Sequence, residues 1–585
     1  MSEVLQARPR RREYWNSRMG VILAVAGGAV GLGNFVRFPG QVAQYGGGAF
    51  MVAYLVAFLL LGLPICWVEW TMGRRGGSFG AHSCPSILVV LTRCSRMRYA
   101  GLLQMLVPVI IYMYYVNIEA WCLGYAVNFC SGAMDFDMVA DSGAFFGRFV
   151  GITGNGDGFG FGLGHVGTYL TLCFVVNFVL IYRGISRGIE WFCKYAMPML
   201  FLLAVIVLVR VLTLGTPNLA RPHDNVMNGL GFMWNPEKVL LEKQVFNEAG
   251  RAEWVLEREL IGEEAIAEAR ALARNNPVRR VVVRDMWTQL RNPQLWVAAA
   301  GQIFFSLSVG FGLILTYASY LKKDDDIVLS GLAATSANEF AEISLGGLIT
   351  IPAAVAFLGV AGVAGMGTFG LGFNVLPLVF SQMPGGALFG ALFFFLLFLA
   401  AVTSSLSLLQ PGIAFLEESM HITRRQSVAI LGYVTAVGAS FVAYFSKDLK
   451  ALDTIDFWVG TFMVFVLASM QIVVFSWVMG IDRGMAEMRR GAAIGVPGAY
   501  RFILRWVTPL FLLTVFGMWI YFELLNMDGG DVSAYVRDIF IVQDKVALLS
   551  LAMLALVLGL GLLLMRSRAH YEQVADRAAK EEGRR

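Results

Sequence analysis

Long apolar segments alternate with short polar loops along most of the chain. Each segment holds about 20 apolar residues, which is the length a helix needs to cross the hydrocarbon core of a membrane. The pattern predicts an all-α polytopic membrane protein with twelve transmembrane helices. The predicted spans are 18–38, 49–72, 99–130, 165–182, 189–213, 294–320, 340–362, 386–416, 425–445, 455–480, 502–525 and 544–566.

The first span is interrupted by residues that disfavour a helix. Four glycines and Asn34 lie within its stretch AGGAVGLGNFVR, at 26–37. An interrupted helix leaves backbone N–H and C=O groups unpaired at bilayer depth, which is costly unless protein, water or a ligand pairs with them. The stretch therefore predicts a binding site inside the membrane.

A second interrupted span follows five helices later, in the sequence QIFFSLSVGFG at 302–312. Two broken helices five spans apart are typical of an inverted repeat, which holds its substrate at the midplane. We therefore predict an inverted 5+5 helix repeat with discontinuous helices 1 and 6. The predicted divisions are an N-terminal arm (1–17), the first repeat (18–213), an extracellular loop (214–293), the second repeat (294–480), helices 11 and 12 (481–567) and a C-terminal tail (568–585).

The loop at 214–293 is the sizeable polar insertion. From Val245 to Asn275 it alternates Glu and Arg with Ala and Leu at helical spacing, which predicts one or two amphipathic helices outside the membrane. Its charges nearly cancel, which favours a solvated cover. A role in binding a partner or capturing a substrate stays open.

Basic residues collect in alternate loops, and positively charged loops stay on the cytoplasmic side. Both termini are therefore predicted to be cytoplasmic, in a multi-pass protein of the plasma or inner cell membrane whose first span acts as the insertion signal. The residues that carry this signal are Arg8, Arg10, Arg11, Arg12, Arg74, Arg75, Arg93, Arg96, Arg98, Arg183, Arg187, Lys322, Lys323, Arg424, Arg425, Arg489 and Arg490.

Composition agrees with a membrane protein, because 57% of the residues are hydrophobic and only 15% are charged. The net charge of +5 follows from the sidedness of the loops and predicts no nucleic-acid partner. The seven cysteines form no CxxC pair, so we expect neither a disulfide nor a metal site built on them.

Six motifs of this chain resemble the neurotransmitter:sodium symporter family, which belongs to the sodium- and chloride-dependent transporters. The resemblance runs from about Arg12 to Met565 and is interrupted mainly by the loop at 214–293. It implies a transporter rather than an enzyme. The motifs are GGAVGLGNFVRFPG, GQIFFSLSVGFG, LTYASY, ATSANEFAE, AVTSSLSLLQPGIAFLEE and ITRRQ.

The resemblance implies two sodium ions, each held at low net charge by backbone carbonyls of the unwound helix 1 together with hydroxyl or amide side chains. Site 1 would comprise the Ala29 carbonyl, Ser306, the side chains of Asn34 and Asn338, and the carboxylate of the substrate. Site 2 would comprise the carbonyls of Gly27, Val30 and Ala400 and the hydroxyls of Thr403 and Ser404. Hydrogen bonding to the preceding turn of the helix is the alternative for these two hydroxyls.

The resemblance also implies an amino-acid substrate. Amides near Gly31 and Gly33, at the start of a half-helix, would hold its carboxylate together with the Tyr115 hydroxyl. Carbonyls of helix 6 and Ser308 would accept from its ammonium, beside Ser306. Ile111, Phe305, Phe311 and Leu408 would line a side-chain pocket that favours a neutral side chain, with ordinary core packing as the alternative.

Two glycines bear on specificity. Monoamine-transporting relatives carry an aspartate at the position of Gly31, so this chain is not expected to take a bare amine. Gly28 departs from a leucine-transporting bacterial member, which has asparagine there, so the preferred side chain is expected to differ from leucine.

Charged residues outside the ligand sites are matched with gates. Arg37 and Asp456 correspond to the pair that closes the outer vestibule through water, and Tyr115 and Phe311 to a lid over the substrate. Arg12 and Glu418, with Tyr320 nearby, correspond to the inner gate, where the family more often has Asp. Unpaired surface charges are the alternative for each pair.

Glu342 and Glu69 are carboxyl groups inside predicted spans. Chloride-dependent animal members have a neutral residue at the position of Glu342 and bind an anion, so the carboxylate is expected to replace chloride and to open a route for proton antiport. A structural hydrogen-bonded Glu342 is the alternative. Glu69 is expected to pair with the unwound backbone of helix 6.

Together these observations predict a sodium-coupled symporter that imports a neutral, hydrophobic amino acid by alternating access and without chloride. A non-transporting amino-acid sensor and a proton-coupled permease of the same architecture are the alternatives. The lipid bilayer and the amino acid are the expected partners, and whether the chain forms a homo-oligomer stays open.

Overall fold

The computed structural model describes residues 15–246, 252–260, 263–525, 527 and 532–583. In this part of the chain nine helices are long and apolar enough to cross a membrane, and helix 1 adds a pair, Arg18–Ala29 and Gly33–Gln44, bent by 45°. Helix 4 (Val166–Tyr182) and the broken helix 6 (Pro293–Leu307 and Leu313–Ala318) complete the twelve predicted spans. The nine are helix 2 (Gly48–Ser78), 3 (Met97–Cys130), 5 (Ile185–Leu212), 7 (Ile327–Val363), 8 (Gly386–Met420), 9 (Arg424–Tyr444), 10 (Lys447–Val478), 11 (Ala499–Leu524) and 12 (Lys545–Leu564).

Short helices lie between the spans, and one more follows the last span. The last of them packs against the first, where Val89, Tyr571 and Ala575 form a small buried cluster. The predicted C-terminal tail is therefore a docked helix over its described residues. The short helices are Cys84–Thr92, Val139–Val150, Val226–Trp234, Met286–Leu290, Gly370–Val375, Leu376–Gln382, Ile481–Arg489, Ala534–Phe540 and Arg568–Gly583.

Helices 3 and 8 form the centre of the bundle and pack along most of their length. Small residues let them approach their neighbours, as is common where helices meet inside a membrane. A Cβ atom at Gly412 of helix 8 would lie 2.9 Å from Val109 Cγ2 on helix 3 and 3.0 Å from Leu431 Cδ1 on helix 9. The glycine thus sets the spacing of three helices.

The two breaks have different backbone geometries. In helix 1, Val30 is extended, with φ −71° and ψ 97°. In helix 6, Ser308 has φ 52° and ψ 29°, and Gly310 and Gly312 follow with φ of 86° and 81°. Positive φ is easily adopted by glycine and strained for serine, so this break depends on support from its surroundings.

Glu69 of helix 2 supplies that support. Its Oε1 accepts from the Gly310 amide at 3.0 Å and from Gln471 Nε2 of helix 10 at 2.7 Å. The prediction that Glu69 pairs with the unwound backbone of helix 6 is confirmed.

The prediction for Val245–Asn275 is wrong over its first half, and the all-α description does not extend to this loop. Strands Lys238–Phe246 (β1), Ala252–Glu259 (β2) and Arg279–Arg284 (β3) form an antiparallel sheet in the order β2-β1-β3. Only the second half is helical, at Glu263–Asn275, as predicted. This helix covers a face of the sheet, since Ala269 packs with Leu241 and Leu260.

Pairing between distant strands explains the error. Leu241 of β1 lies opposite Arg258 of β2 and Val281 of β3, with a bulge between Leu241 and Glu242. Ion pairs then cross the sheet, because Glu242 binds both Arg280 (2.7 Å) and Arg284 (2.9 Å). Charged residues at this spacing can lie on one face of a helix or on one face of a strand. The pairing of β3 with β1 selects the strand.

A buried ion pair joins β1 to β2 and fixes the sheet to the short helix Val226–Trp234. Lys238 Nζ lies 3.2 Å from Glu259 and donates to the Phe232 carbonyl at 2.7 Å. Burial raises the pKa of Glu259 and lowers the pKa of Lys238, because both charges are taken out of water.

We expect Glu259→Gln to leave the Lys238 ammonium buried without a counter-charge and to destabilise the sheet by about 3 kcal/mol. Hydrogen exchange of the strand amides should accelerate, while that of helices 3 and 8 should not. Glu237→Gln, an exposed change one residue before β1, is the matched control. Equal protection of the strands in both variants would contradict the expected effect.

Candidate functional site

The breaks in helices 1 and 6 face one narrow cavity of about 20 Å³, which is space for one or two water molecules. All nine residues predicted to bind the substrate line it. The lining residues are Gly28, Ala29, Gly31, Gly33, Ile111, Tyr115, Phe305, Ser306, Ser308, Phe311, Ser404 and Leu408. Helices 1, 3, 6 and 8 therefore converge here, and no side chain of this lining is charged.

Backbone amides of helix 1 point at polar atoms beside the cavity. The Gly31 amide donates to Asn34 Oδ1 at 2.7 Å, and the Leu32 amide lies 3.4 Å from the Tyr115 hydroxyl. A Cβ atom at Gly31 would lie 2.8 Å from Ser404 Oγ and 2.9 Å from the Tyr115 hydroxyl. There is consequently no room for a larger side chain at Gly31 in this arrangement.

Three of the residues predicted for sodium site 1 are in direct contact and fully buried. Asn34 Nδ2 donates to Asn338 Oδ1 at 2.9 Å, and Asn338 Nδ2 donates to Ser306 Oγ at 2.7 Å. The structure thus gathers amide and hydroxyl groups from helices 1, 6 and 7. Ala29 lies beside them, on the wall of the cavity.

Glu342 completes this cluster. Its Oε2 accepts from Asn34 at 3.2 Å and from Asn338 at 3.3 Å, and the Ser306 hydroxyl also donates to it. Gln302 Nε2 donates to its other oxygen at 2.5 Å. Four donors favour the charged form of this carboxyl group, which lies beside the residues predicted for sodium site 1.

The residues predicted for sodium site 2 lie where helix 8 crosses the break in helix 1. Ser404 Oγ is 3.4 Å from the carbonyls of Gly27 and Gly28, and Thr403 Oγ1 donates to the Ala400 carbonyl at 2.9 Å. The Thr403 hydroxyl therefore makes the bond to the preceding turn that is the alternative to a ligand role. Val30 is the extended residue of the break.

The predicted outer gate lines a cavity of about 120 Å³ on the far side of Phe305. The guanidinium carbon of Arg37 lies 4.3 Å from the centre of the Phe305 ring. Its Nη1 lies 3.5 Å from the Gly301 carbonyl oxygen. Asp456 accepts from the Tyr114 hydroxyl at 2.6 Å. Arg37 and Asp456 share this cavity, and no direct ion pair joins them in the described structure.

The predicted inner gate is described only in part, because Arg12 lies outside the described residues. Glu418 and Tyr320 line a cavity of about 860 Å³ at the side where helix 1 begins. Glu418 accepts from the amides of His82 and Ser83 at 3.1 and 2.8 Å, and Tyr320 stacks on His82 with 4.7 Å between ring centres. Glu418 thus binds the turn that precedes the helix Cys84–Thr92, a contact that the motif did not indicate.

Sequence reasoning missed a second buried polar cluster. Glu119 of helix 3 accepts from Asn177 of helix 4 at 3.0 Å and from the Ser405 hydroxyl of helix 8 at 2.5 Å. Ser405 follows directly on Ser404 of predicted sodium site 2. An ionisable residue inside a predicted span commonly marks a functional site, so its position alone could have identified Glu119 as a candidate.

Residues around Glu342 were also missed. Tyr54 of helix 2 donates to Glu339 Oε2 at 2.9 Å, one residue after Asn338. Gln302 was included in the motif of helix 6 without an assigned function. Both are polar groups in predicted spans, and only the packing of helices 2, 6 and 7 places them beside the site.

Comparisons with other sequences give relatives that this chain matches over more than three quarters of their length. The chain is 26% identical to an uncharacterized sodium-dependent transporter of Methanocaldococcus jannaschii, over 90% of this chain and 94% of that protein. It is 26% identical to the sodium-dependent serotonin transporter of Drosophila melanogaster, over 88% of this chain and 77% of that protein. It is 24% identical to the sodium-dependent nutrient amino acid transporter 1 of Drosophila virilis, over 87% of this chain and 77% of that protein.

The fold agrees with these relatives. The crystal structure of MhsT in complex with L-phenylalanine superposes with a TM-score of 0.67 and 26% sequence identity, covering 86% of this chain and 99% of that chain. The sequence model of the sodium:neurotransmitter symporter family matches residues 12–141 and 277–562. This match spans more than half of the sequence, and the chain belongs to the sodium:neurotransmitter symporter family.

Proposed function

We propose that this sodium-dependent transporter imports a neutral, hydrophobic amino acid together with two sodium ions. The observation that carries the proposal is the convergence of both helix breaks on one cavity without charged side chains. Backbone amides of helix 1 and the Tyr115 hydroxyl supply donors for a carboxylate at one end of this cavity. Apolar side chains, among them Ile111 and Leu408, line the rest of the cavity.

A neutral side chain is favoured because no counter-charge faces it. A bare amine is disfavoured for a related reason, since Gly31 leaves no space for the aspartate that would pair with an amine. Two comparisons support an amino acid, because MhsT has been crystallised with L-phenylalanine and a Drosophila relative is a nutrient amino acid transporter. The serotonin transporter is an equally similar relative, so the argument depends on the cavity itself.

Two sodium ions would enter beside the substrate. The amides and hydroxyl of Asn34, Asn338 and Ser306 suit one ion, and the Gly27 carbonyl with Ser404 and Thr403 suits the other. Each ion that descends 100 mV releases roughly 2.3 kcal/mol. Two ions per zwitterionic substrate could therefore sustain a concentration ratio of about a thousandfold or more from voltage alone.

Alternating access requires that the site open to one side at a time. On one side Arg37, Asp456 and Phe305 surround the smaller cavity, and on the other Tyr320 and Glu418 line the larger one. Arg37 with Asp456 would close the first by bridging water, and Arg12 with Glu418 would close the second. Glu342 would take the place of chloride, and proton antiport through it stays a prediction.

Counterflow in proteoliposomes tests the proposed function. We expect labelled leucine or phenylalanine to exchange with unlabelled amino acid inside the vesicles only when sodium is present. A sensor would bind without exchange, and a proton-coupled permease would exchange without sodium. Exchange of cationic or acidic amino acids alone would contradict the assignment of a neutral substrate.

Thr403→Val should weaken the apparent affinity for sodium at least tenfold, because a sodium ion would lose one of about five or six oxygen ligands. The measurement is the sodium dependence of uptake at fixed substrate. Thr435→Val in helix 9 is the matched control, since the Thr435 hydroxyl is also buried and donates to the preceding turn, at Leu431, 2.8 Å away. If Thr403→Val leaves the sodium dependence of uptake unchanged, the Thr403 hydroxyl has a structural role and is not a sodium ligand.

Uptake by the wild type should be unchanged, within about twofold, when gluconate replaces chloride, because Glu342 already supplies the negative charge. Glu342→Gln should lose most of its uptake, since the amide lacks that charge. Glu342→Ser leaves room for an anion, so its uptake should recover when chloride is added. Full activity of Glu342→Gln without chloride would show that the carboxylate is not needed.

A further inference from the structure

Exposed arginines gather where helices 4, 5 and 9 meet, at the arginine-rich ends of these spans. The guanidinium carbon of Arg425 lies 5.3 Å from the ring centre of Tyr182, the last residue of helix 4. Arg183 follows Tyr182 directly. Its Cβ lies 3.3 Å from the position that a Cβ atom on Gly188 would take, and Gly188 is the residue after Arg187. Arg183, Arg187 and Arg425 are all exposed.

The nearest groups do not neutralise these charges. Arg424, next to Arg425, is turned inward, donating to the Ile181 carbonyl at 3.0 Å and to Gln410 Oε1 at 2.9 Å. Glu190, the carboxylate of the same segment, is buried and directed at helix 1. Among the ion pairs of the described residues, none includes Arg183, Arg187 or Arg425.

The adjacent surface of helix 5 has the composition of a membrane interface. Trp191 and Tyr195 are 49% and 57% exposed, and their ring centres lie 5.6 Å apart. Lys194 is exposed between them on the same face, which continues into the exposed apolar residues Met199 and Leu202. Exposed tryptophan and tyrosine at the end of a span are typical of the level of lipid headgroups.

We propose that Arg183, Arg187 and Arg425 form a headgroup site for an anionic phospholipid. Guanidinium groups bind phosphate oxygens through paired hydrogen bonds. The aromatic side chains would border the headgroup, and the apolar face of helix 5 would contact the acyl chains. This continuity from charge to apolar surface fits a lipid, whereas free phosphate would use only the arginines.

The headgroup site lies on the segment that holds the beginning of helix 1. Residues Ile185–Glu190 form a wide helical turn that follows Gly184, whose φ is 89°. At its end the Glu190 carboxylate accepts from the Asn16 amide at 3.0 Å and from the Ser17 hydroxyl at 2.9 Å. A bound headgroup would therefore tie together helices 4, 5 and 9 beside this contact and raise the unfolding temperature.

The test uses the purified full-length protein, freed of lipid in detergent, and is independent of the transported substrate. Dioleoyl phosphatidylglycerol, dioleoyl phosphatidylcholine and inorganic phosphate are titrated separately while thermal unfolding is followed and bound lipid is counted by native mass spectrometry. We expect phosphatidylglycerol to bind and to raise the unfolding temperature. Phosphatidylcholine and inorganic phosphate should bind with at least tenfold lower affinity.

The triple variant Arg183→Gln, Arg187→Gln and Arg425→Gln should bind phosphatidylglycerol at least tenfold more weakly, because each arginine near an anionic surface contributes about fivefold. The matched control is Arg483→Gln with Arg489→Gln, two exposed arginines of the helix Ile481–Arg489. Should the triple variant not fold, Arg187→Gln alone should weaken binding about fivefold.

Three results would overturn the proposal. Equal affinity for phosphatidylglycerol and phosphatidylcholine would remove the charge preference, and an equal shift with inorganic phosphate would make this a phosphate site. Unchanged phosphatidylglycerol binding in the triple variant or in folded Arg187→Gln would locate the lipid elsewhere.

Discussion

The structure depends on one constraint, which is that backbone groups freed by the breaks in helices 1 and 6 cannot stay unpaired inside a membrane. Each break is therefore surrounded by polar side chains of other helices. Glu69 and Gln471 stabilise the strained turn of helix 6, and Ser404 contacts the carbonyls of helix 1. The groups left facing the cavity between the breaks are the ones available to ions and substrate.

Buried carboxylates recur around this cavity, and each is surrounded by neutral donors rather than by a basic residue. Glu342 accepts from two asparagines, a serine and a glutamine, and Glu119 accepts from Asn177 and Ser405. Neutral donors stabilise a carboxylate without cancelling its charge. A site of this kind retains attraction for a small cation, which an arginine partner would remove.

Much of the candidate site could be predicted from the sequence because many of its residues belong to short motifs, above all those of the broken helices 1 and 6. Glycines, serines and asparagines clustered inside an apolar span weaken a membrane helix and indicate a binding site at each break. The lining residues of helices 3 and 8, such as Tyr115 and Leu408, were implied by the resemblance to the symporter family. Glu119 and Tyr54 were missed because their significance depends on which helices pack together. The strands of the loop at 214–293 were missed because a charged, alternating stretch fits a helix and a strand equally well until β3 pairs with β1.

The sequence by itself determined the twelve spans, the two breaks and the residue types that face them, because length, hydropathy and glycine content act locally. Tertiary structure alone decided the contacts. It turned Glu190 towards the start of helix 1, separated Arg37 from Asp456 by a cavity, and left Arg183, Arg187 and Arg425 together at the surface. These arrangements join residues far apart in the chain, and their geometry depends on how whole helices pack.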